Sequence, residues 1–157
     1  MKKIWLVLLA CTLLLGGCGK EEQQPVQMGN PWTDHETLTQ AEEAVGFSLE
    51  LPETIADSYQ AKIFRTLSGQ LLEVIYIDGD YEVTIRKQAG ENQDISGDYT
   101  DYPNTTETHM GVGTVIEKND GTAFLTLIYH DGYSYALSAP NGYWGDSAQD
   151  FILAILE

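Results

Sequence analysis

Three aspartates in one polar stretch of the chain have side chains that could bind a hard cation. Asp94, Asp98 and Asp101 lie in a turn-rich segment between Gln88 and His109. Calcium takes about 6–8 oxygen ligands from a flexible loop, so the segment is a candidate calcium site, although its spacing departs from the Asp-x-Asp-x-Asp-Gly pattern. The alternative is that these carboxylates accept hydrogen bonds from nearby backbone in a solvated loop. We expect no other cofactor.

A pair of glutamates is the other arrangement that could support catalysis. Glu73 and Glu82 could in principle act together in glycoside hydrolysis, but the hairpin pattern places both on a solvent-facing side. The sequence lacks a Gly-x-Ser-x-Gly elbow, a His-Glu-x-x-His motif and a phosphate-binding loop with lysine. We therefore predict a protein that is not an enzyme. A carboxylate-based hydrolase of the cell envelope is the least favoured alternative.

Aromatic side chains concentrate around the last predicted hairpin. This group consists of Tyr129, Tyr133, Tyr135, Tyr143 and Trp144. Rings with a polar tip are frequent on recognition surfaces, which makes the group a candidate binding patch. Aromatic residues are also ordinary in sheets, so packing within the sheet is the alternative interpretation.

The strongest chemical signal is the sequence Leu15-Gly16-Gly17-Cys18. It closes a short apolar run, Ile4–Leu15, that follows two lysines. The run is shorter than the about 20 residues that a helix needs to span a bilayer, and it is typical of a signal peptide. The box closely resembles that of bacterial lipoproteins, in which the cysteine thiol receives a diacylglyceryl group and the cysteine becomes the N-terminus.

These features predict the domain organisation and the location. Residues 1–17 are expected to be removed as a signal peptide, 18–30 to form a lipidated cysteine and a flexible tether, and 31–157 to form a single globular domain. The two acyl chains on Cys18 would hold the domain on the extracytoplasmic face of the cell membrane. The alternative is that Cys18 is an unmodified thiol after an ordinary secretory signal.

The charge of the chain restricts its partners. The formal net charge is −16, and loss of residues 1–17 would remove Lys2 and Lys3 but no acid, which gives −18 for the remainder. A domain of this charge does not bind nucleic acid by neutralising phosphates. It attracts cations and basic partners, although a solvated acidic exterior is the simpler interpretation.

The pattern of elements predicts an α+β fold. Thr37-x-x-Gln40 is a capping box before a helix that ends at Gly46, and Asp146 or Ser147 could cap a C-terminal helix. Glycine-containing turns divide the region between them into strands. We expect an antiparallel meander sheet of about seven strands, packed by an N-terminal and a C-terminal helix.

Three details of this sheet are predicted from local patterns. Phe47–Leu51 alternates and is expected to form the first strand, and Gln88–His109 is expected to be a long loop. A turn at Asp78-Gly79 would pair Tyr76 with Tyr81 on the core face of a hairpin.

Several segments together resemble a domain-of-unknown-function family. They are Glu43-Ala44-Val45-Gly46-Phe47, Asp94-Ile95-Ser96-Gly97-Asp98-Tyr99, Gly111-Val112-Gly113-Thr114-Val115 and the hairpin Tyr129–Tyr135. The family occurs in lipoproteins of Gram-positive bacteria and in the extracellular C-terminal regions of proteins similar to anti-sigma factors. The resemblance covers roughly residues 31–157 and implies an accessory or sensory domain without catalytic residues.

Three functions are consistent with the sequence. The first is a membrane-anchored, non-enzymatic domain that binds a protein or another envelope component. The second is a small-ligand or lipid-binding domain in which sheet and helices enclose an apolar cavity. The third is the envelope hydrolase.

Overall fold

A computed structural model describes residues 29–51, 54–55, 58–110, 113–140, 151–152 and 155–156. Along these residues the chain forms one helix and nine strands. The elements are β1 Trp32–His35, α1 Leu38–Val45, β2 Thr54–Ile55, β3 Tyr59–Leu67, β4 Leu71–Asp78, β5 Tyr81–Ala89, β6 Asn104–Met110, β7 Gly113–Asn119, β8 Phe124–His130 and β9 Tyr133–Ala139.

All nine strands belong to one antiparallel sheet with the order β1-β3-β4-β5-β9-β8-β7-β6, and β2 also pairs with β3. Two meanders, β3 to β5 and β6 to β9, meet where β5 pairs with β9. Because β5 is central and β6 is an outer strand, the connecting segment 90–103 has to cross one face of the sheet. The topology therefore explains why this connection is long.

The architecture corrects the predicted fold class. The described part of the chain is mainly β, with nine strands rather than seven, so the α+β prediction with packing by two terminal helices is not matched. Phe47–Leu51 is not a strand, whereas β1, β2 and β6 are additional strands. The predicted caps of the C-terminal helix, Asp146 and Ser147, lie outside the described residues. Four residues near the C-terminus, Phe151, Ile152, Ile155 and Leu156, have helical backbone.

Helix α1 follows its predicted local signals. The Thr37 side chain accepts a hydrogen bond from the backbone of Gln40 (3.3 Å), and the Gln40 side chain accepts one from the Glu36 backbone (3.0 Å). The Gly46 N–H donates to the Glu42 carbonyl (2.8 Å) and ends the helix. Such caps satisfy backbone groups that have no partner inside a helix.

The hairpin of β4 and β5 has the predicted core face in a different register. Tyr76 lies opposite Val83, and Tyr81 lies opposite Asp78 near the turn, where it is 52% exposed. The predicted pairing of Tyr76 with Tyr81 is therefore wrong by two residues. Because side chains alternate with a period of two, this slip leaves the same residues on the same face.

The two faces of the sheet carry two different cores. On one, which we call the helix face, side chains of β4, β5, β7, β8 and β9 pack with α1 and with the described C-terminal residues. Its central residues are Leu72, Val74, Tyr76, Val83, Ile85, Ile128 and Leu137. On the other, the loop face, Ile95 and Tyr102 of segment 90–103 pack against Leu71, Leu125, Leu127 and Ala136. Burial of apolar surface on both sides is the main stabilising contribution to such a sheet.

Buried tyrosines make the stability sensitive to alkaline pH. Burial, helped by the nearby Tyr133 and Asp131, raises the pKa of Tyr135 to about 12. The unfolded side chain ionises near pH 10, so above that pH the folded state binds more protons and stability falls as the pH rises.

Replacement of Tyr135 by phenylalanine is expected to remove part of this alkaline loss. Between about pH 8 and about pH 11, wild type should lose about 1 kcal/mol more unfolding free energy than Tyr135→Phe. Urea titrations of both proteins at the two pH values measure the difference. Tyr81→Phe, at an exposed tyrosine, is the matched control. Equal pH dependence of wild type and Tyr135→Phe would contradict the assignment.

Candidate functional site

The three aspartates of the predicted calcium site lie in segment 90–103, where two of them hold turns. Asp94 Oδ1 accepts hydrogen bonds from the backbone N–H (3.0 Å) and hydroxyl (2.6 Å) of Ser96. Asp98 accepts from the Thr100 backbone (2.8 Å) and from the Tyr102 hydroxyl (2.6 Å), and Asp101 is exposed. Across the residues that the structure describes, no group of three or more His, Cys, Asp or Glu side chains could hold a metal ion.

These contacts also set the acidity of the loop. Burial would raise the pKa of Asp98, but the hydrogen bonds from Tyr102 and Thr100 outweigh it and the pKa is lowered. Burial and the Asp98 carboxylate together raise the pKa of the Tyr102 hydroxyl to about 12. The Asp98–Tyr102 pair is thus a charge-assisted hydrogen bond that fixes the conformation of the segment near its end.

The predicted aromatic patch is divided between the two faces. Tyr133 and Tyr135 pack on the helix face, whereas Tyr129 packs on the loop face. Tyr143 and Trp144 lie outside the described residues. Tyr129 lies opposite Ser134, the residue between Tyr133 and Tyr135, and adjacent positions of a strand point to opposite sides of a sheet. The predicted patch is therefore not a single surface that includes Tyr129.

The prediction that Glu73 faces solvent is wrong, because its side chain is fully buried. Its cross-strand neighbours are Arg65 on β3 and Arg86 on β5, and both donate to its carboxylate through Nε, Arg86 at 2.6 Å. Glu82 is exposed and lies four residues along β5 from Arg86, about 13 Å at the usual rise of a strand. The Glu73 carboxylate is buried and accepts from both arginines, so it is not placed to act with Glu82 as the carboxylate pair of a glycosidase.

The indole of Trp32 completes this cluster. The Arg65 guanidinium carbon lies 4.5 Å from the centre of the ring, and that of Arg86 lies 5.5 Å from it. Arginine is favoured over aromatic faces because its cation is attracted by the electron-rich ring. We call Trp32, Arg65, Glu73 and Arg86 the arginine cluster. It contains both arginines of the sequence and brings β1, β3, β4 and β5 together.

Arg86 also attaches segment 90–103 to the loop face. Its Nη1 donates to the backbone carbonyls of Ile95 (3.1 Å) and Ser96. Nearer the start of the segment, the Ser134 hydroxyl donates to the Gly90 carbonyl (2.6 Å) and accepts from the Gln93 backbone N–H (3.2 Å). Segment 90–103, which is part of the predicted long loop Gln88–His109, is therefore fixed to the sheet by partly buried polar contacts.

Gly97 is expected to be essential for this attachment. Its φ is +65°, and a Cβ built there would lie 2.7 Å from Nη1 of Arg86, which its other contacts hold in place. Gly97→Ala should therefore cost about 1–3 kcal/mol from the backbone conformation, together with displacement of Arg86. Urea unfolding measures the loss, and amide exchange in segment 90–103 reports the loosening.

Gly121→Ala is the matched control for this change. Gly121 has φ +90° with nothing within 4 Å of a built Cβ, so alanine there tests the backbone conformation without a steric contact. If Gly97→Ala and Gly121→Ala cost the same and leave amide exchange in segment 90–103 unchanged, Arg86 does not limit the space at Gly97.

A second cluster surrounds Lys87 on the helix face. Lys87 Nζ lies 5.6 Å from the Phe47 ring centre, 4.2 Å from that of Tyr133 and 5.2 Å from that of Tyr135, and donates to the Ser48 carbonyl (2.8 Å). Burial lowers the pKa of Lys87 although nearby carboxylates oppose the shift. The lysine lines an open cleft of about 200 Å³ beside Glu50. Its cation already has aromatic and carbonyl partners, which accounts for its burial.

Strand β6 is the most exposed element of the described sheet. All seven of its residues, Asn104–Met110, are exposed, and among the described strands it pairs only with β7. The opposite margin of the sheet ends in the four-residue strand β1 and the two-residue strand β2. The alternating N–H and C=O groups along an edge of this kind are available to pair with another chain.

Comparison with protein-family models, with curated proteins and with solved structures found no match. No helix within the described ranges is long and apolar enough to cross a membrane.

Proposed function

We propose that this protein is a lipid-anchored domain on the extracytoplasmic face of the cell membrane that binds a protein or another envelope component and is not an enzyme. One observation carries the binding role: the centre of the sheet is covered on both faces by packed elements, while the edge strand β6 is exposed along its whole length. An exposed edge of this kind suits recognition of a macromolecule.

The proposed anchor is supported by the sequence. The box Leu15-Gly16-Gly17-Cys18 follows a basic start and an apolar run, and the thiol of Cys18 would receive the lipid. The residues after it up to Asn30 are mostly polar and would act as a flexible tether. The strongly acidic composition favours a domain that stays in water beside the membrane.

The alternative of a small-ligand or lipid-binding domain has less support. The apolar side chains on both faces pack against one another, and two clefts lined by described residues are open to solvent. The larger of these two, of about 480 Å³, is lined by Thr54, Gln60, Ala61 and Phe64. Ligand sites usually bury most of the ligand in a concave, largely apolar pocket.

Crosslinking in cells tests the proposed function. Wild type and Cys18→Ala are produced in a bacterium that processes lipoproteins, crosslinked and purified under denaturing conditions. Wild type should give a discrete adduct, and Cys18→Ala should give much less of it, since the anchor raises the local concentration of domain and partner. The absence of any adduct with the wild-type protein would contradict a binding role.

A further inference from the structure

We infer that β6 is a docking edge that captures an extended, basic peptide segment by antiparallel strand addition. The inference rests on the proposed binding function and specifies its surface and the chemistry of its partner. In strand addition the backbone supplies hydrogen bonds, and alternate side chains on each face supply selectivity.

The strand lacks three of the usual features that protect a sheet edge, namely a bulge, a proline and a lysine. Its pairing with β7 runs without a register shift from Asn104 opposite Asn119 to Met110 opposite Gly113, so no bulge twists it away. It contains no proline and no lysine, and its threonines are β-branched residues that favour a strand. Edges that are long, regular and unprotected are the ones that pair with other chains.

Exposed apolar side chains occur in β6 and in the residues that lead into it. Three large apolar side chains are exposed among the described residues, and two of them, Tyr99 and Met110, lie shortly before β6 in the sequence and at its end. Tyr99 is 97% exposed. An exposed aromatic ring can stack on the cation of a lysine or arginine.

The charges around β6 favour a basic partner. Four exposed carboxylates lie on or beside β6 and β7, at Asp101, Glu107, Glu117 and Asp120. Lys118, the only lysine or arginine on these two strands, is 3.5 Å from Asp94 and is thereby neutralised. A second copy of this acidic chain would be repelled, whereas a basic strand would place cations opposite Glu107.

Peptide binding to the full chain in detergent micelles tests the inference. The probe is a short synthetic peptide, capped at both ends, that alternates lysine with threonine, and the control peptide has glutamate in place of lysine. The lysine peptide should bind and protect the amides of residues 104–110 from exchange, and the glutamate peptide should not. The lysine peptide N-methylated at alternate residues on its pairing edge should lose binding, because strand addition needs its N–H groups.

The variant Glu107→Lys should weaken the lysine peptide about fivefold, since a favourable cross-strand pair becomes a repulsive one. Glu82→Lys makes the same change of charge at an exposed position of β5 and should have little effect. Any one of four results would overturn the inference. These are equal weakening by both variants, full binding of the N-methylated peptide, binding of neither peptide, and pairing of two copies of the chain through β6. A cellular adduct that survives in Glu107→Lys would overturn the β6 site but leave the proposed function standing.

Discussion

Replacement of Glu73 by glutamine is expected to lower the free energy of unfolding by about 3–5 kcal/mol, a large part of the stability of a domain of this size. The carboxylate is fully buried, and it accepts from Arg65 and Arg86, whose side chains are 29% and 18% exposed. Glutamine keeps the shape but removes the negative charge, which leaves two guanidinium groups close together under Trp32. Urea denaturation of the full chain measures the loss.

Glu82→Gln is the matched control, because it makes the same chemical change at an exposed position of the same hairpin. It should change the unfolding free energy by no more than about 0.5 kcal/mol. Amide exchange should also quicken in segment 90–103 of Glu73→Gln, since Arg86 would lose the partner that orients it. A loss in Glu73→Gln as small as that in Glu82→Gln would show that the arginine cluster contributes little.

Replacement of Cys18 by alanine is expected to move the protein out of the membrane fraction. Without the thiol no lipid can be attached, and within the described residues there is no helix that could replace the anchor. A diacyl anchor gives stable attachment, whereas a domain of this charge is repelled by anionic headgroups. Fractionation of cells followed by detection of the protein measures the distribution.

Cys11→Ala provides a closely matched control for the anchor. Cys11 lies within the apolar run Ile4–Leu15, so the same cysteine-to-alanine change there should leave the membrane fraction unaltered. If Cys18→Ala stays with the membrane to the same extent as Cys11→Ala, lipidation at Cys18 is not what holds the protein.

Local signals in the sequence predicted the helix and most turns correctly. The Thr37 cap and Gly46 specify α1 through hydrogen bonds within a few residues, so no tertiary information was required. The Asp78-Gly79 turn was placed one residue early because both Asp78-Gly79 and Gly79-Asp80 are acceptable turn pairs. The opposite charges of Glu73 and Arg86 identify the correct register, since they face each other only when the turn is at Gly79-Asp80.

Strands that lack an alternating pattern could not be found in this way. β6 is exposed on both faces, so its Asn-Thr-Thr-Glu-Thr-His-Met sequence shows no apolar period and was assigned to a loop. Phe47–Leu51 alternates for another reason: Leu49 is buried, and its N–H donates to the Glu42 side chain (2.6 Å) outside any strand. Packing of Phe47, Leu49 and Leu51 on the helix face, rather than a strand partner, produces that pattern.

The arginine cluster was missed because a charged residue between apolar neighbours was interpreted as solvent-facing. Glu73 lies between Leu72 and Val74 in a strand whose residues 71–76 are all buried. Such a strand is covered on both faces, and a carboxylate within it requires a cationic partner. The crossing of segment 90–103 over the sheet, which follows from the strand order, is the tertiary fact that buries it.

Contacts that stabilise the domain lie in the arginine cluster and segment 90–103, whereas the strand proposed to bind a partner is β6. Arg86 of the arginine cluster attaches segment 90–103 to the loop face, and the described strand that this segment leads into is β6. The segment therefore connects the central strand β5 to β6 at the outer edge of the sheet, where one side of β6 has no partner among the described strands. This geometry is consistent with an anchored domain that recognises its partner along one edge.

The mass of the N-terminal peptide from membrane-extracted protein is the direct test of the proposed lipid anchor. We expect a peptide that begins at Cys18, lacks residues 1–17 and carries a diacylglyceryl group on the sulfur. The anchor would be contradicted by a peptide that begins at any residue other than Cys18. A peptide that begins at Cys18 but carries a free thiol would contradict it as well.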